Sequence, residues 1–243
     1  MYEQLTQNLK ALRIGGMAEA LPTRYQEAKA NEIDYLDFLQ NLINDELTKR
    51  KDNLLNRRLK MSKLPELKSF DDFDWAFNPS INKKQVMELA TSRFIHQAEN
   101  VLFIGPPGVG KSHLCNALAL CAIHNGYTVF YRNAFDLVDE MAEAFRNDAR
   151  KKYVSNLTRQ DLLIIDEFGM KQMPKNAADD ILEIIHRRYN HGSTIITTNR
   201  PLEDWGKILG DNAATSAILD RFLDKAQIIN IKGKSYRMKN KIS

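Results

Sequence analysis

The chain contains the stretch VLFIGPPGVGKS at residues 101–112, in which an apolar run leads into a glycine-rich turn and a Lys-Ser pair. The run predicts a buried strand, and the apolar residues that recur after Lys111 predict a helix. The spacing G-x-x-x-x-G-K-[ST] is that of a phosphate-binding loop, and it lies in the strand-loop-helix context that such a loop requires. A chance glycine-rich turn would not satisfy both the spacing and the context.

The residue types of this loop suit a nucleoside triphosphate. Glycines let the backbone turn its N–H groups onto phosphate oxygens, and the following helix directs its positive dipole end at the same anion. Lys111 is expected to reach the β- and γ-phosphates, and the Ser112 hydroxyl is expected to ligate Mg²⁺. ATP and Mg²⁺ are therefore the implied cofactors. The predicted nucleotide contacts are Gly105, Pro106, Pro107, Gly108, Val109, Gly110, Lys111, Ser112 and His113.

Composition limits the class of protein. The chain is 43% hydrophobic with a formal net charge of +4, which is ordinary for a globular domain. No apolar run approaches the ~20 residues that span a bilayer, and the N-terminus lacks the pattern of a secretory signal. Cys115 and Cys121 do not have metal-site spacing and are expected to be small buried residues in a reducing compartment. We therefore expect a cytoplasmic protein without a membrane segment.

The chain is expected to divide into three regions. Residues 1–65 carry leucine stripes at helical spacing and predict an all-helical N-terminal domain, in which Pro22 is expected to interrupt a helix. Residues 66–82 predict a linker, whose acidic and aromatic string FDDFDWAF at 70–77 is expected to pack onto the next domain. Residues 83–243 predict the larger domain.

The larger domain alternates predicted strands and helices. The candidate strands are Val101–Ile104, Thr128–Tyr131, Leu162–Ile165, Thr194–Thr197 and Gln227–Ile231. The candidate helices are Lys111–Asn125, Ala134–Asp148, Asn176–His191 and Ala213–Leu223. Several strands are apolar on both faces, as strands covered by helices on both sides must be. The sequence therefore predicts an α/β fold with a five-stranded parallel sheet and helices on both faces.

Polar residues end two of these strands. Asp166 and Glu167 follow the third, where Asp166 is expected to hold the Mg²⁺ shell and Glu167 to orient the attacking water. Asn199 follows the fourth, where it could hydrogen-bond the γ-phosphate or that water. A phosphate-loop strand, an Asp-Glu strand and a Thr-Asn strand occur in this order in the AAA+ ATPases, which the chain resembles over about residues 80–235.

The AAA+ resemblance implies a role for Arg221. In these proteins an arginine at the corresponding place, in a string similar to Asp220-Arg221-Phe222, stabilises charge at the active site of a neighbouring subunit. The alternative is a surface ion pair of Arg221 with Asp220 or Asp224. The predicted catalytic residues are Lys111, Asp166, Glu167, Asn199 and Arg221, with Ser112 and Asp166 as metal ligands.

Two helical segments concentrate basic residues. The region between the second and third strands leaves room for two helices, which resembles the initiator and helicase-loader branch of AAA+ proteins, whose members assemble on DNA. A solvated helix face is the alternative explanation of such charge. The predicted contacts with DNA phosphates are Lys49, Arg50, Arg57, Arg58, Arg132, Arg146, Arg150, Lys151 and Lys152.

Within that branch the chain resembles the IstB family of transposition helpers over nearly its whole length. The strings that carry the resemblance are LKALRIGGMAEAL at 9–21, LKSFDDF at 67–73, DEFG at 166–169, RRY at 187–189, GST at 192–194 and GKSYR at 233–237. The resemblance implies an ATP-dependent helper that oligomerises on duplex DNA with ATP between subunits. Such a helper shapes the DNA, delivers it to a partner transposase and is reset by hydrolysis.

One departure from the wider AAA+ pattern concerns the end of the chain. After the last predicted strand only a basic tail from Lys232 remains, so the usual α-helical lid domain is expected to be missing and Arg237 is only a candidate for the second sensor arginine. Two rival functions stay open. A DnaC-type helicase loader would bind single strands and a replicative helicase, and a metabolic P-loop kinase would bind a small acceptor.

Overall fold

The computed structural model describes residues 2–170, 172–174 and 176–241. Backbone contacts divide the chain into two units, Met1–Arg57 and Arg58–Ser243. Within the described residues, no helix is both long and apolar enough to cross a bilayer.

Three helices account for the N-terminal unit. These are α1 (Tyr2–Ala11), α2 (Gly15–Ala30) and α3 (Tyr35–Ser62), of which the last extends past the boundary of the unit. The helix α2 continues through Pro22, so the break predicted there is wrong. Proline removes one backbone hydrogen bond, but the neighbouring Ala18 and Leu21 are buried, and such packing supplies most of the stability of a helix in a protein.

The helices α2 and α3 meet at a glycine. A Cβ atom on Gly16 would lie 2.7 Å from the Cα atom of Glu46, so only glycine permits this approach. The buried Glu46 carboxylate accepts hydrogen bonds from the N–H groups of Gly16 (2.6 Å) and Met17 (3.2 Å). The first turn of α2 therefore contacts a negative charge from α3, which interacts favourably with the positive end of the α2 dipole.

The larger unit is built on the predicted five-stranded parallel sheet. Its strands are β1 (Asn100–Ile104), β2 (Val129–Asn133), β3 (Leu162–Phe168), β4 (Ser193–Thr198) and β5 (Ala226–Asn230), in the spatial order β2-β3-β4-β1-β5. Every strand pair is parallel. The carboxyl ends of parallel strands share one edge of the sheet, which is the usual ligand-binding edge of such folds.

The helices of this unit confirm the predicted α/β class. They are α4 (Lys83–Ala90), α5 (Arg93–His96), α6 (Lys111–His124), α7 (Ala134–Arg146), α8 (Arg150–Thr158), α9 (Ala177–Arg188), α10 (Trp205–Leu209) and α11 (Asn212–Leu223). Short 3₁₀ turns occur at Leu202–Asp204 and Tyr236–Lys241. The segment between β2 and β3 holds two helices, α7 and α8, as its length predicts.

A buried arginine links the elements at the amino-terminal ends of the strands, opposite the ligand-binding edge. Arg188 is 2% exposed at the end of α9, and burial lowers its pKa to about 10. Its guanidinium donates to the carbonyl oxygens of Leu157 and Gln160, each at 2.8 Å, and to that of Ser193 at 2.5 Å. These acceptors lie at the end of α8 and the start of β4, so the charge is held by backbone dipoles and Arg188 has a structural role.

Candidate nucleotide-binding site

The phosphate loop has the backbone geometry that its glycines predict. Gly108 and Gly110 adopt φ values of 80° and 105°, in the left-handed region that favours glycine. Lys111 is the first residue of α6, and its Nζ donates to the carbonyl oxygens of Gly105 (2.7 Å) and Pro106 (2.9 Å). Burial lowers the pKa of Lys111, although the nearby Asp166 carboxylate opposes this shift. The ammonium group thus lies along the loop where phosphates would bind.

Asp166 lies at the centre of a ring of hydroxyl groups. Ser112 Oγ donates to its Oδ1 atom at 3.1 Å, Thr197 Oγ1 donates to the same atom, and the Tyr131 hydroxyl donates to Oδ2 at 2.6 Å. Asp166 is 2% exposed. The structure therefore brings the two predicted metal ligands, Ser112 and Asp166, into direct contact.

This donor set fits Mg²⁺. The ion takes oxygen ligands and is usually held by one or two protein groups together with waters and substrate phosphates. Among the described residues there is no cluster of three or more His, Cys, Asp or Glu side chains that could hold a metal ion. Tyr131 was not predicted, and its pKa is raised by burial and by the Asp166 charge.

Glu167 is held by a residue that the sequence did not indicate. The Asn133 side chain donates from Nδ2 to Glu167 Oε2 at 2.5 Å, and its own Oδ1 accepts from the N–H of Phe135, which caps α7. The strand register places Asn133 beside Asp166. Glu167 itself has a φ of 58°, next to an irregularity in the pairing of β3 with β4. A polar residue at the end of β2 was the only sequence signal for this contact.

Asn199 has an unused acceptor. Its Oδ1 atom is buried and has no hydrogen-bond partner within the described part of the chain, and the residue lines the cavity beside the phosphate loop. A buried polar atom without a partner is costly unless a ligand or water satisfies it. The arrangement fits the predicted contact of Asn199 with a phosphate or a bound water.

The linker forms one wall of this cavity. Phe73 and Phe77 line it, as do Asp72 and Asp74, and the side chain of His113 completes this wall. The Phe73 ring lies edge-on to His113 at 5.1 Å between centroids, and His113 Nε2 lies 2.8 Å from the Ser69 carbonyl oxygen. The expected packing of the linker aromatics is therefore part of the site. An aromatic wall with adjacent carboxylates can accept the base of a nucleotide.

Arg221 lies near the amino-terminal ends of the strands, opposite the edge that carries the phosphate loop. It lines a small cavity together with Asn100 and Thr194, which lie at the starts of β1 and β4. Its Nε donates to His186 Nδ1 at 3.2 Å, and its Nη1 donates to the Ala217 carbonyl at 3.0 Å. Among described residues it has no ion pair with Asp220 or Asp224, so that alternative receives no support. Arg221 cannot contact a nucleotide on its own phosphate loop.

The predicted DNA contacts fall into two groups. Four of the cations already pair with carboxylates: Lys49 with Glu19, Arg50 with Glu46, Arg132 with Glu140, and Arg150 with Asp180 and Glu183. The other predicted contacts are exposed or half-buried and form no ion pair in the described chain: Arg57, Arg58, Arg146, Lys151 and Lys152. The second group is better placed to meet phosphates, since it has no carboxylate to release.

Comparison with known proteins agrees with this geometry. The family model of the IstB-like ATP binding protein matches residues 7–243. A Geobacillus stearothermophilus protein of insertion sequence IS5376, whose name describes it as ATP-binding, is 35% identical over 241 residues, covering 99% of this chain and 96% of its own.

Solved structures match the larger part of the chain. A DnaC helicase loader is 28% identical with a TM-score of 0.50, over 62% of this chain and 92% of its own. AMPPCP-bound DnaA from Aquifex aeolicus is 19% identical with a TM-score of 0.57, over 73% of this chain and 54% of its own, and shows the fold alone. With an AAA+ fold, a complete phosphate loop and these relatives, the chain belongs to the family of IstB-like ATP-binding proteins, AAA+ ATPases associated with insertion sequences.

Proposed function

We propose that this protein is an ATP-dependent DNA-binding helper of its insertion sequence. It oligomerises on duplex DNA with ATP and Mg²⁺ at subunit interfaces, bends or remodels that DNA in the cytoplasm, and recruits or activates a partner transposase. ATP hydrolysis then resets the assembly. The observation that carries the proposal is the position of Arg221 at the sheet edge away from its own phosphate loop.

Phosphoryl transfer needs a cation opposite the γ-phosphate as charge develops there. An arginine at the far edge of one subunit can supply that cation only to the site of a neighbour. The two hydrogen bonds of Arg221, to His186 and to the Ala217 carbonyl, hold the guanidinium in one orientation. An isolated subunit would then bind ATP and hydrolyse it slowly, and assembly would complete the site.

The DNA part of the proposal is supported by the unpaired cations. Arg146, Lys151 and Lys152 are exposed on α7 and α8, and Arg57 is exposed on α3. Exposed cations without carboxylate partners suit sequence-independent binding to phosphates. Such binding would suit a helper that delivers varied DNA to a transposase.

A mixing experiment tests the trans arrangement. Arg221→Ala should bind ATP normally and turn over at least ~10²-fold slower, because an arginine of this kind contributes roughly 10³–10⁵ in rate. Glu167→Gln should be inactive for a different reason, the loss of the base that orients water. Mixed assemblies contain interfaces with an intact Glu167 and an intact Arg221, so turnover should partly return.

One outcome of the mixing experiment would overturn the trans role of Arg221. If the two variants co-assemble, as shown by a pull-down between differently tagged proteins, and mixing restores no turnover, Arg221 does not act across the interface. His191→Ala serves as the matched control, since His191 is exposed on the loop after α9 and makes no hydrogen bond to Arg221 within the described chain.

A helicase loader is the second candidate. The likeness to a DnaC helicase loader favours it, since that is what the solved relative is named. The two functions differ in the nucleic acid that they bind in the presence of ATP. Stronger assembly on duplex DNA than on single strands of equal length supports the transposition helper, and the reverse preference supports the loader.

A further inference from the structure

Two carbonyl oxygens of the phosphate loop accept hydrogen bonds from parts of the chain that are distant in sequence. A loop that turns its N–H groups toward phosphates must turn carbonyl groups outward, where they need donors. The backbone N–H of Tyr236 donates to the Gly108 carbonyl at 2.8 Å. The Asn78 side chain donates to the Val109 carbonyl, also at 2.8 Å. The outer face of the loop is thus shaped by the linker and by the chain after β5.

We call the segment Lys232–Arg237 the strap. It is anchored where it leaves the sheet: the Lys232 N–H donates to Ser80 Oγ at 3.0 Å, and Ser80 Oγ donates to the Lys232 carbonyl at 2.5 Å. Just before the strap, the N–H of Ile231 donates to the Ile104 carbonyl at 2.7 Å, immediately ahead of the phosphate loop. The strap therefore crosses the outside of the loop from a fixed starting point.

The fit between strap and loop leaves no spare room. A Cβ atom on Gly108 would lie 2.0 Å from Ser235 Oγ, and a Cβ atom on Gly233 would lie 2.2 Å from Asn78 Oδ1. Gly233 also has a φ of 146°, which strains any other residue. The Tyr236 ring packs edge-on against Phe77 at 5.0 Å, and both rings line the nucleotide cavity.

We propose that Tyr236 is a positioning residue for the phosphate loop, so that docking of the strap and binding of the nucleotide strengthen each other. The inference rests on the proposed function only in requiring ATP in this cavity. With the strap docked, the Gly108 carbonyl has its hydrogen-bond donor and the loop keeps the shape that receives phosphates. With the strap released, nucleotide binding must also order the loop. Linkage then requires that the nucleotide hold the strap in place by the same factor.

The first test measures affinity for a non-hydrolysable ATP analogue by calorimetry, with single protein species and no DNA. Tyr236→Ala and Gly233→Ala should each weaken binding roughly 10-fold. Tyr236→Ala loses the ring packing, and Gly233→Ala shifts the strap so that the hydrogen bond to Gly108 is lost. Tyr236→Phe keeps the ring and the N–H and should restore most of the affinity. Met238→Ala is the matched control, an exposed side chain just beyond the strap whose removal should change nothing.

The second test measures how accessible the strap is to a protease. Trypsin cleavage after Lys234, followed by mass spectrometry, should slow roughly 10-fold when the analogue is bound, matching the affinity factor. The same cleavage should not respond to the analogue in Lys111→Ala, which is expected not to bind it. The KM for ATP of Tyr236→Ala should rise while kcat at saturating ATP stays near wild type, a split that a general loss of structure would not produce.

Two outcomes would overturn the inference. One is wild-type affinity in both Tyr236→Ala and Gly233→Ala, and the other is cleavage after Lys234 that ignores the analogue in the wild-type protein. Failure of the proposed function gives a different pattern: the strap variants behave as expected, and the mixture of Arg221→Ala and Glu167→Gln restores no turnover.

Discussion

Asp166 and Glu167 are neighbours in the chain, but their carboxylates have different surroundings. Asp166 is almost fully buried and accepts from the hydroxyls of Ser112, Thr197 and Tyr131. Glu167 lines the cavity, and its carboxylate contacts the Asn133 amide. A carboxylate already surrounded by donors suits a fixed place beside a metal ion, whereas one at the cavity wall can orient a water.

The first prediction concerns Glu167. Glu167→Gln should bind ATP with near wild-type affinity, lower turnover roughly 10²-fold or more, and make DNA complexes long-lived. Glutamine keeps the size and an oxygen for Asn133 but loses the charge that polarises water. Calorimetry gives the affinity, phosphate release gives turnover, and fluorescence anisotropy of labelled DNA gives complex lifetime.

A matched variant controls for the loss of one carboxylate. Glu140→Gln removes a charge that pairs with Arg132 outside the cavity, and turnover should change little. An affinity loss in Glu167→Gln as large as its loss in rate would contradict a hydrolytic role, since the residue would then act mainly in binding.

At the scale of elements, α2 and α3 are joined through Glu46. The side chain of Arg50 donates to this carboxylate at 2.6 Å and is the main reason that the pKa of Glu46 lies below its ordinary value. Burial opposes this shift, and the N–H groups of Met17 and Gly16 add to it. A pKa that is lower in the folded state stabilises the fold above the unfolded pKa, and that stability is lost as pH falls through the folded pKa.

The second prediction follows from that sign. Glu46→Gln should lower the free energy of unfolding by roughly 1–2 kcal/mol at pH 7. The difference from wild type should shrink as the pH falls below about 4.3, the ordinary pKa of glutamate. Urea unfolding followed by circular dichroism between pH 3 and pH 7 measures both.

The control for this prediction is another ion pair of the N-terminal unit. Glu19→Gln breaks the exposed pair with Lys49 and should cost only about 0–1 kcal/mol at any pH. If the difference in the free energy of unfolding between Glu46→Gln and wild type stays constant down to pH 3, the shape of the Glu46 side chain, and not its charge, makes the contribution to stability.

At the scale of the whole molecule, DNA binding is expected to depend on cations that have no carboxylate partner. The third prediction is that Lys151→Ala combined with Lys152→Ala weakens binding about equally on unrelated duplexes. The slope of log K against log salt should fall by roughly 0.9 for each phosphate that the variant no longer binds. Titrations of two duplex sequences at several salt concentrations measure this.

A different exposed lysine is the control. Lys207→Ala removes a charge on α10 that pairs with Asp204, and it should leave the salt slope unchanged. A Lys151–Lys152 variant that loses one sequence and keeps another would indicate base readout in place of phosphate contact.

Those parts of the site that are contiguous in the chain could be predicted from the amino-acid sequence. The phosphate loop is a local pattern in which glycine spacing, Lys111 and Ser112 are all visible within twelve residues. Asp166 and Glu167 come at the end of an apolar run that forms the first part of β3, and Asn199 directly follows β4. Because parallel strands end at a common edge, the sequence predicts that these three side chains lie together there. The α/β class followed from the alternation of strand and helix periods for the same local reason.

Contacts between segments that are far apart in the chain depend on the tertiary structure. Asn133 reaches Glu167, and Tyr131 reaches Asp166, because β2 pairs with β3 in one register, and nothing in either strand alone specifies that register. Tyr236 reaches Gly108 because β5 pairs with β1 and returns the chain to the phosphate loop. The position of Arg221 likewise depends on which end of the sheet α11 approaches. Local periodicity fixes which residues form an element, but side chains from separate elements meet only when packing has set the order and register of the strands.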